Sequence, residues 1–139
     1  MAIRFPPMPG DVLVFDFATG FQPPEMVKRR PVLVLSPRLR HRDGLCTVVP
    51  LSTTPPARPV PYQCRLTLAT SPPRPFSRTD LWAKADMLAT VGFGRLDLFR
   101  TGRDAMGRRQ YLRIHVPDVD LDRVQICVAH ALGLAHRLT

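Results

Sequence analysis

The sequence predicts a mainly β domain, a small and partly closed barrel that ends in one amphipathic α-helix. Three observations predict it. Short apolar runs bounded by proline and glycine recur between residues 10 and 116. Several of them alternate apolar and polar residues with the period of a strand. Helical spacing shows only near the end, where Leu121, Val124, Val128, Ala131, Ala135 and Leu138 would share one face, with Asp118 or Asp120 placed to cap the start. Many short strands in so short a chain favour closure, because closure removes edges that would otherwise pair with other chains.

The elements follow in order. Gly10 to Phe17 (GDVLVFDF) is rich in β-branched and aromatic residues and is preceded by proline, so it reads as a first strand. Ala18 to Lys28 holds Gly20 and Pro23-Pro24 and reads as an irregular loop. Arg30 to Ser36 (RPVLVLS) is a continuous apolar run, the pattern of a strand buried on both faces. Leu45 to Ser52 (LCTVVPLS) is the next strand, after an exposed connection carrying Arg38, Arg40 and Arg42. Gln63 to Leu68 and Asp80 to Leu88 (DLWAKADML) both alternate, with proline-rich loops at 55–61 and 71–76. Arg95 to Arg100 and Gln110 to Val116 read as a hairpin closed by a Gly102 to Gly107 turn. About six or seven strands result.

At 139 residues, with 45% hydrophobic and 22% charged residues, the chain fits one folded domain over residues 1–139. No apolar run is long enough for a membrane span, and Met1 to Gly10 lacks the apolar stretch of a secretory signal, so a cytoplasmic protein is expected. Cys46, Cys64 and Cys127 are odd in number and widely spaced, which suggests reduced thiols rather than a disulfide framework. His41, His115, His130 and His136 lack the paired spacing of a zinc site, so neither metal nor cofactor is expected. No helix-turn-helix, P-loop, dinucleotide fingerprint or nucleophile elbow is present.

Charge is the first functional hint. Twenty basic residues against 11 acidic ones give a net charge of +9, and 18 of the 20 are arginine. Arginine presents a planar, permanently charged fork that matches phosphate oxygens, and a basic face gains affinity for nucleic acid by releasing counterions. The terminal helix is mostly apolar, which argues against a helix that enters a DNA groove.

Four pieces then occur in order: GDVLVFDF, Glu25 five residues before Arg30, RRPVLVLSP, and VVPLSTTP. Together they resemble the opening half of MazF/PemK-family toxins, over about residues 9 to 54. The strand from Asp80 resembles the family less closely, and the hairpin from Gly94 to Val116 diverges. The resemblance implies an SH3-like small barrel of the MazF/PemK/CcdB type and a homodimer. It also implies a sequence-selective endoribonuclease that cuts single-stranded RNA and is neutralised by a cognate antitoxin. Since a gyrase-poisoning relative uses the same barrel, a noncatalytic toxin acting on a protein or nucleic acid is the alternative, and function rests on the site.

Carried over residue by residue, the family's arginine before proline is Arg30 and its hydroxyl residue is Ser52. An Arg-x-Asp element of some members finds its counterpart in Lys84 and Asp86, with lysine as the departure. These types suit a reaction in which the ribose 2′-hydroxyl attacks its own phosphate without a metal. That chemistry needs a base, positive charge where the phosphorane forms, and a proton source for the departing oxygen. Asp86 is read as the base, Arg30 as the electrostatic stabiliser, Lys84 as a phosphate contact and Ser52 as a hydrogen-bond donor.

Strand period would put Trp82, Lys84 and Asp86 on one face, with Trp82 as a platform for an unstacked base. The plainer reading is a core-packing tryptophan beside a surface ion pair. Lys28, Arg29 and Thr53 would line the RNA groove, and Glu25 would border it and orient Arg30, against the plainer reading of a solvated loop. Arg38, Arg40 and Arg42 are read as a solvated run that deepens the positive field.

Overall fold

The computed structural model describes residue 3 and residues 5–137. Leu138 of the helical pattern, and residues 1, 2 and 4 of the N-terminal stretch, lie outside them. Ten strands and one α-helix are present among the described residues: β1 (Asp11–Asp16), β2 (Arg29–Val34), β3 (Leu45–Ser52), β4 (Gln63–Thr67), β5 (Asp80–Lys84), β6 (Ala89–Gly92), β7 (Leu96–Asp97), β8 (Phe99–Arg103), β9 (Arg109–Leu112), β10 (Ile114–His115) and α1 (Asp118–Ala131). Eight strands form one antiparallel sheet ordered β10-β1-β2-β3-β5-β4, with β6 also on β3 and β7 also on β1. Strands β8 and β9 form a separate two-stranded sheet.

The first strand opens on Gly10, whose φ of +97° suits glycine. A Cβ there would come within 2.7 Å of the His115 ring, which would have to shift. Asp11 holds the same corner: its carboxylate accepts the Met8 N–H at 2.8 Å and meets His115 Nδ1 at 3.0 Å. The Gly-Asp pair of the sequence therefore helps to latch β1 to its neighbour β10.

The apolar run of β2 is buried from Pro31 to Leu35, as its composition predicts. Two cores lie on opposite faces of the β1–β2–β3 layer. One holds Val12, Val14, Leu33, Val49 and Leu51 and receives Val124 from α1. The other holds Leu13, Phe15, Val32, Val34 and Val48, with the Phe15, Phe17 and Phe21 rings meeting edge-on at 4.5 to 5.8 Å.

The structure corrects four sequence expectations. The strand from Asp80 ends at Lys84, and Ala85–Met87 form a 3₁₀ turn instead. That turn packs against α1 with Ala85 buried, Asp86 exposed and Met87 and Leu88 half-buried, so the strand alternation does not continue past Ala85. The predicted hairpin from Arg95 to Val116 is shorter: β8 pairs with β9 from Phe99↔Leu112 to Arg103↔Arg109. Its flanks β7 and β10 leave it to pair with β1, because Leu96 and Ile114 bury only there. The helix is not capped by an aspartate side chain. Pro117 takes the cap position, which leaves Asp118 and Asp120 in the first turn, where they oppose the positive end of the helix. Ala135 belongs to a separate 3₁₀ turn, Ala135–Arg137.

Phe15 is fully buried at the junction of β1, the Phe cluster and Arg95, whose guanidinium lies 4.6 Å from its ring. Phe15→Ala is expected to destabilise the fold by about 3–5 kcal/mol, read as a lower midpoint in urea denaturation at unchanged slope. A loss under about 1 kcal/mol would show that the second core contributes little.

Candidate active site

The face of the sheet that carries the second core turns polar toward one end. Val34 lies opposite Val48 and Val32 opposite Pro50, and continuing that antiparallel register brings Arg30 beside Ser52. Ser52 lies opposite Trp82, Trp82 opposite Arg65, and Lys84 opposite Gln63. Directly opposed residues share a face. One polar surface therefore runs from Arg30 through Ser52 and Trp82 to Lys84 and Gln63, while Leu51, Ala83, Leu66 and Leu81 point to the apolar core behind it.

Arg30 Nη1 donates a long hydrogen bond of 3.4 Å to Ser52 Oγ, which also accepts the Thr54 N–H at 3.1 Å. Arg30 Nε is buried with no hydrogen-bond partner among the described residues. Burial lowers the Arg30 pKa from its ordinary value. Lys84 is buried, and Nζ donates to Gln63 Oε1 at 2.8 Å. Gln63 Nε2 donates in turn to Asp86 Oδ1 at 3.1 Å. Burial pulls the Lys84 pKa down, the Asp86 carboxylate partly offsets that, and the charge of Arg30 lowers it further.

The same site thus gathers Arg30, Ser52, Lys84 and Asp86, although Asp86 arrives by the 3₁₀ turn rather than by strand alternation. Gln63 joins Lys84 to Asp86, so the two do not form the direct surface ion pair of the plainer reading. Trp82 is half-buried and joins neither core, against its reading as a core-packing residue. Glu25 does not orient Arg30. Its carboxylate accepts the Gln22 N–H at 2.7 Å and closes its own turn. Asp80, further along β5, is held by Thr67 and Arg65, and the hydrogen bonds they donate lower its pKa.

Two clefts flank the polar surface. One, of about 250 Å³, is lined by Lys28, Arg29, Arg30, Arg78, Thr53 and Thr54, and its lining includes no carboxylate. The other, of about 370 Å³, sets Glu25 and Asp86 among Phe17, Phe21, Met26 and Met87. The predicted groove residues are therefore divided, with the cations on one side and the carboxylates on the other. Gln63, Arg78 and Thr54 escaped the sequence reading because only strand pairing and loop packing bring them here. Arg38, Arg40 and Arg42 are exposed, and Arg38 reaches Asp43 at 3.7 Å. No group of three or more metal-ligating side chains occurs among the described residues.

Residues 8–131 match the family described as PemK-like, MazF-like toxin of type II toxin-antitoxin system, and the chain belongs to that family. The uncharacterized protein YifN of Escherichia coli (strain K12) is 30% identical over 152 aligned residues, covering 96% of this chain and 99% of that protein. MazF (Form-I) from Deinococcus radiodurans shares the fold with a TM-score of 0.62 at 22% identity, over 94% of this chain and 99% of that one. An endoribonuclease in complex with its cognate antitoxin, from Mycobacterial species, does so with a TM-score of 0.61 at 23% identity, over 93% and 97%. The small barrel with a C-terminal helix is thus the fold of MazF.

The electrostatics of Lys84 can be tested directly. With ¹³C-labelled lysine, its Nζ should titrate below the ordinary lysine value of 10.5. Asp86→Asn should lower it further, since the carboxylate favours the charged amine. An upward movement in that variant would show that Asp86 does not act on Lys84.

Proposed function

We propose that this toxin is a cytoplasmic, metal-independent, sequence-selective endoribonuclease that cuts single-stranded RNA and is silenced by a cognate antitoxin. The observation that carries this reading is the pair of partly desolvated cations, Arg30 and Lys84, which oppose each other electrostatically while Arg30 Nε lacks a partner. A phosphate placed between them would relieve the repulsion through charge-assisted hydrogen bonds to the guanidinium and ammonium N–H groups. The fold neighbours named as endoribonucleases, one of them solved with its antitoxin, support the same reading.

The ribose 2′-oxygen attacks the adjacent phosphorus, and the bond from phosphorus to the 5′-oxygen breaks, which leaves a 2′,3′-cyclic phosphate. Asp86 takes the 2′-hydroxyl proton. Thr67 and Arg65 hold Asp80 and lower its pKa, which suits Asp80 poorly to the same task. Arg30 and the Ser52 hydroxyl meet the charge that grows on the phosphorane oxygens. Lys84, made more acidic by burial, returns a proton to the departing oxygen. The nucleophile is supplied by the substrate, so no metal has to activate water.

Lys28, Arg29, Thr53 and Arg78 hold the strand in the basic cleft, Trp82 stacks on an unstacked base, and Glu25 borders the opposite cleft. Two copies related by a twofold axis would lengthen the basic track, and light scattering at micromolar concentration should report a dimer.

Incubation with long single-stranded RNA in EDTA is expected to yield discrete cuts with 2′,3′-cyclic phosphate or 3′-phosphate ends. Arg30→Ala should lower the rate by about 100-fold or more. Asp86→Asn should lower it comparably while sparing RNA binding. Equal cleavage by Asp86→Asn would remove that residue from the mechanism. Intact RNA with well-folded, antitoxin-free protein would favour a noncatalytic binding toxin.

A further inference from the structure

The β8–β9 hairpin stands apart from the main sheet and is exposed from Arg100 to Gln110 except at Asp104. Between residues 99 and 113 it carries five arginines and one acidic residue. Asp104 is occupied by Arg108 at 3.2 Å, and Arg113 lies 4.3 Å from the centre of the Phe5 ring. Arg100, Arg103 and Arg109 remain, and none of them meets a carboxylate among the described residues.

Register sets where these three point. Phe99 opposes Leu112 and both pack on the core, so the next pair, Arg100 and Tyr111, faces away from it. Residues 100 and 103 would face opposite ways in a regular strand. An irregularity between Arg100 and Gly102 inserts one residue, and the pair after Gly102↔Gln110 is Arg103↔Arg109. The bulge thereby returns Arg103 to the outer face that holds Arg100, and Arg109, two residues from Tyr111 on β9, already lies there. Gly102, at φ +135°, accommodates the bulge. Two arginines directly opposite each other destabilise an isolated ladder; Arg103 Nη1 donates to the Gly107 carbonyl oxygen at 2.8 Å, and neither arginine has a carboxylate partner among the described residues.

The root of the hairpin connects to the basic cleft. The Phe99 ring meets Phe76 at 6.1 Å, and Phe76 lines the cleft that contains Arg30 and Arg78. We infer that the outer face of this hairpin, through Arg100, Arg103 and Arg109, binds the sugar–phosphate backbone of single-stranded RNA outside the cleavage site. The inference deepens the proposed nuclease reading and rests on it. A protein partner would need apolar anchors at the centre of its contact. The outer face offers only Tyr111, half-buried beside the arginines, and exposed Met106 lies in the tip turn, so a polyanionic strand fits better.

The test measures binding of a fluorescein-labelled single-stranded oligouridylate, long enough to run from the cleft past the hairpin, by anisotropy over a range of salt. Every protein carries Arg30→Ala, so cutting plays no part. Replacing Arg100, Arg103 and Arg109 together by Gln should weaken binding by about tenfold or more and make the slope of log K against log salt shallower by about 2, as three lost phosphate contacts require. The triple Lys variant should keep the slope, which separates charge from misfolding. An unchanged slope in the Gln variant, at an unchanged melting temperature, would overturn the hairpin assignment even if the native protein cuts RNA. Conversely, RNA left uncut by the native protein in EDTA, beside the expected slope change in the Arg30→Ala background, would overturn the nuclease reading alone. Loss of binding to a polyglutamate peptide with RNA binding intact would assign the face to an acidic protein and overturn the inference.

Discussion

Strand β3 is the constraint on which the architecture depends, because its eight residues pair with three other strands. One edge holds β2. The other holds β6 along Leu45 to Val48 and β5 at Leu51 and Ser52. A strand that changes partners partway along one edge bends the sheet around itself, and the same happens at β1, where β10 and β7 share an edge. That bend brings β5 and the following turn beside the end of β2. Arg30, Ser52 and Lys84, which are far apart in sequence, become neighbours because of it.

The site is polar for a reason that can be followed along a single face. Between Val34 and Val32 that face is fully buried and apolar, and at Arg30 it reaches the edge of the core. A guanidinium held there is partly stripped of water, and so is the ammonium of Lys84. Two cations so close would destabilise the fold without compensation. Gln63 offers part of it by accepting from Lys84 while donating to Asp86. A bound phosphate would supply more, which connects the stability of the free protein to its affinity for an anion.

Much of the barrel was legible in sequence. The strand from Leu45 to Ser52 has the bounds its composition suggests, and the runs from Gly10 and Arg30 differ by only a residue or two at their ends. Strand signals of this kind are local, since β-branched residues, prolines and glycines act over a few positions. The expectation failed where two local readings compete. Alternation through Asp80 to Leu88 hides a 3₁₀ turn, because Ala85 and Met87 continue the apolar spacing of Leu81 and Ala83 although the strand ends at Lys84. The flanks of the hairpin escape a local reading because Leu96 and Ile114 choose a distant partner, β1, over each other.

By itself the sequence determined the apolar strand runs, the single terminal helix, the excess of arginine and the four motifs that mark the family. Each of these is a property of neighbouring residues or of composition. Only the tertiary structure decided that Gln63 stands between Lys84 and Asp86, that Trp82 lies outside both cores, and that Arg100, Arg103 and Arg109 share one exposed face. Those facts depend on cross-strand register and on one inserted residue. A register is set by the whole sheet closing at once, so no window along the chain contains it.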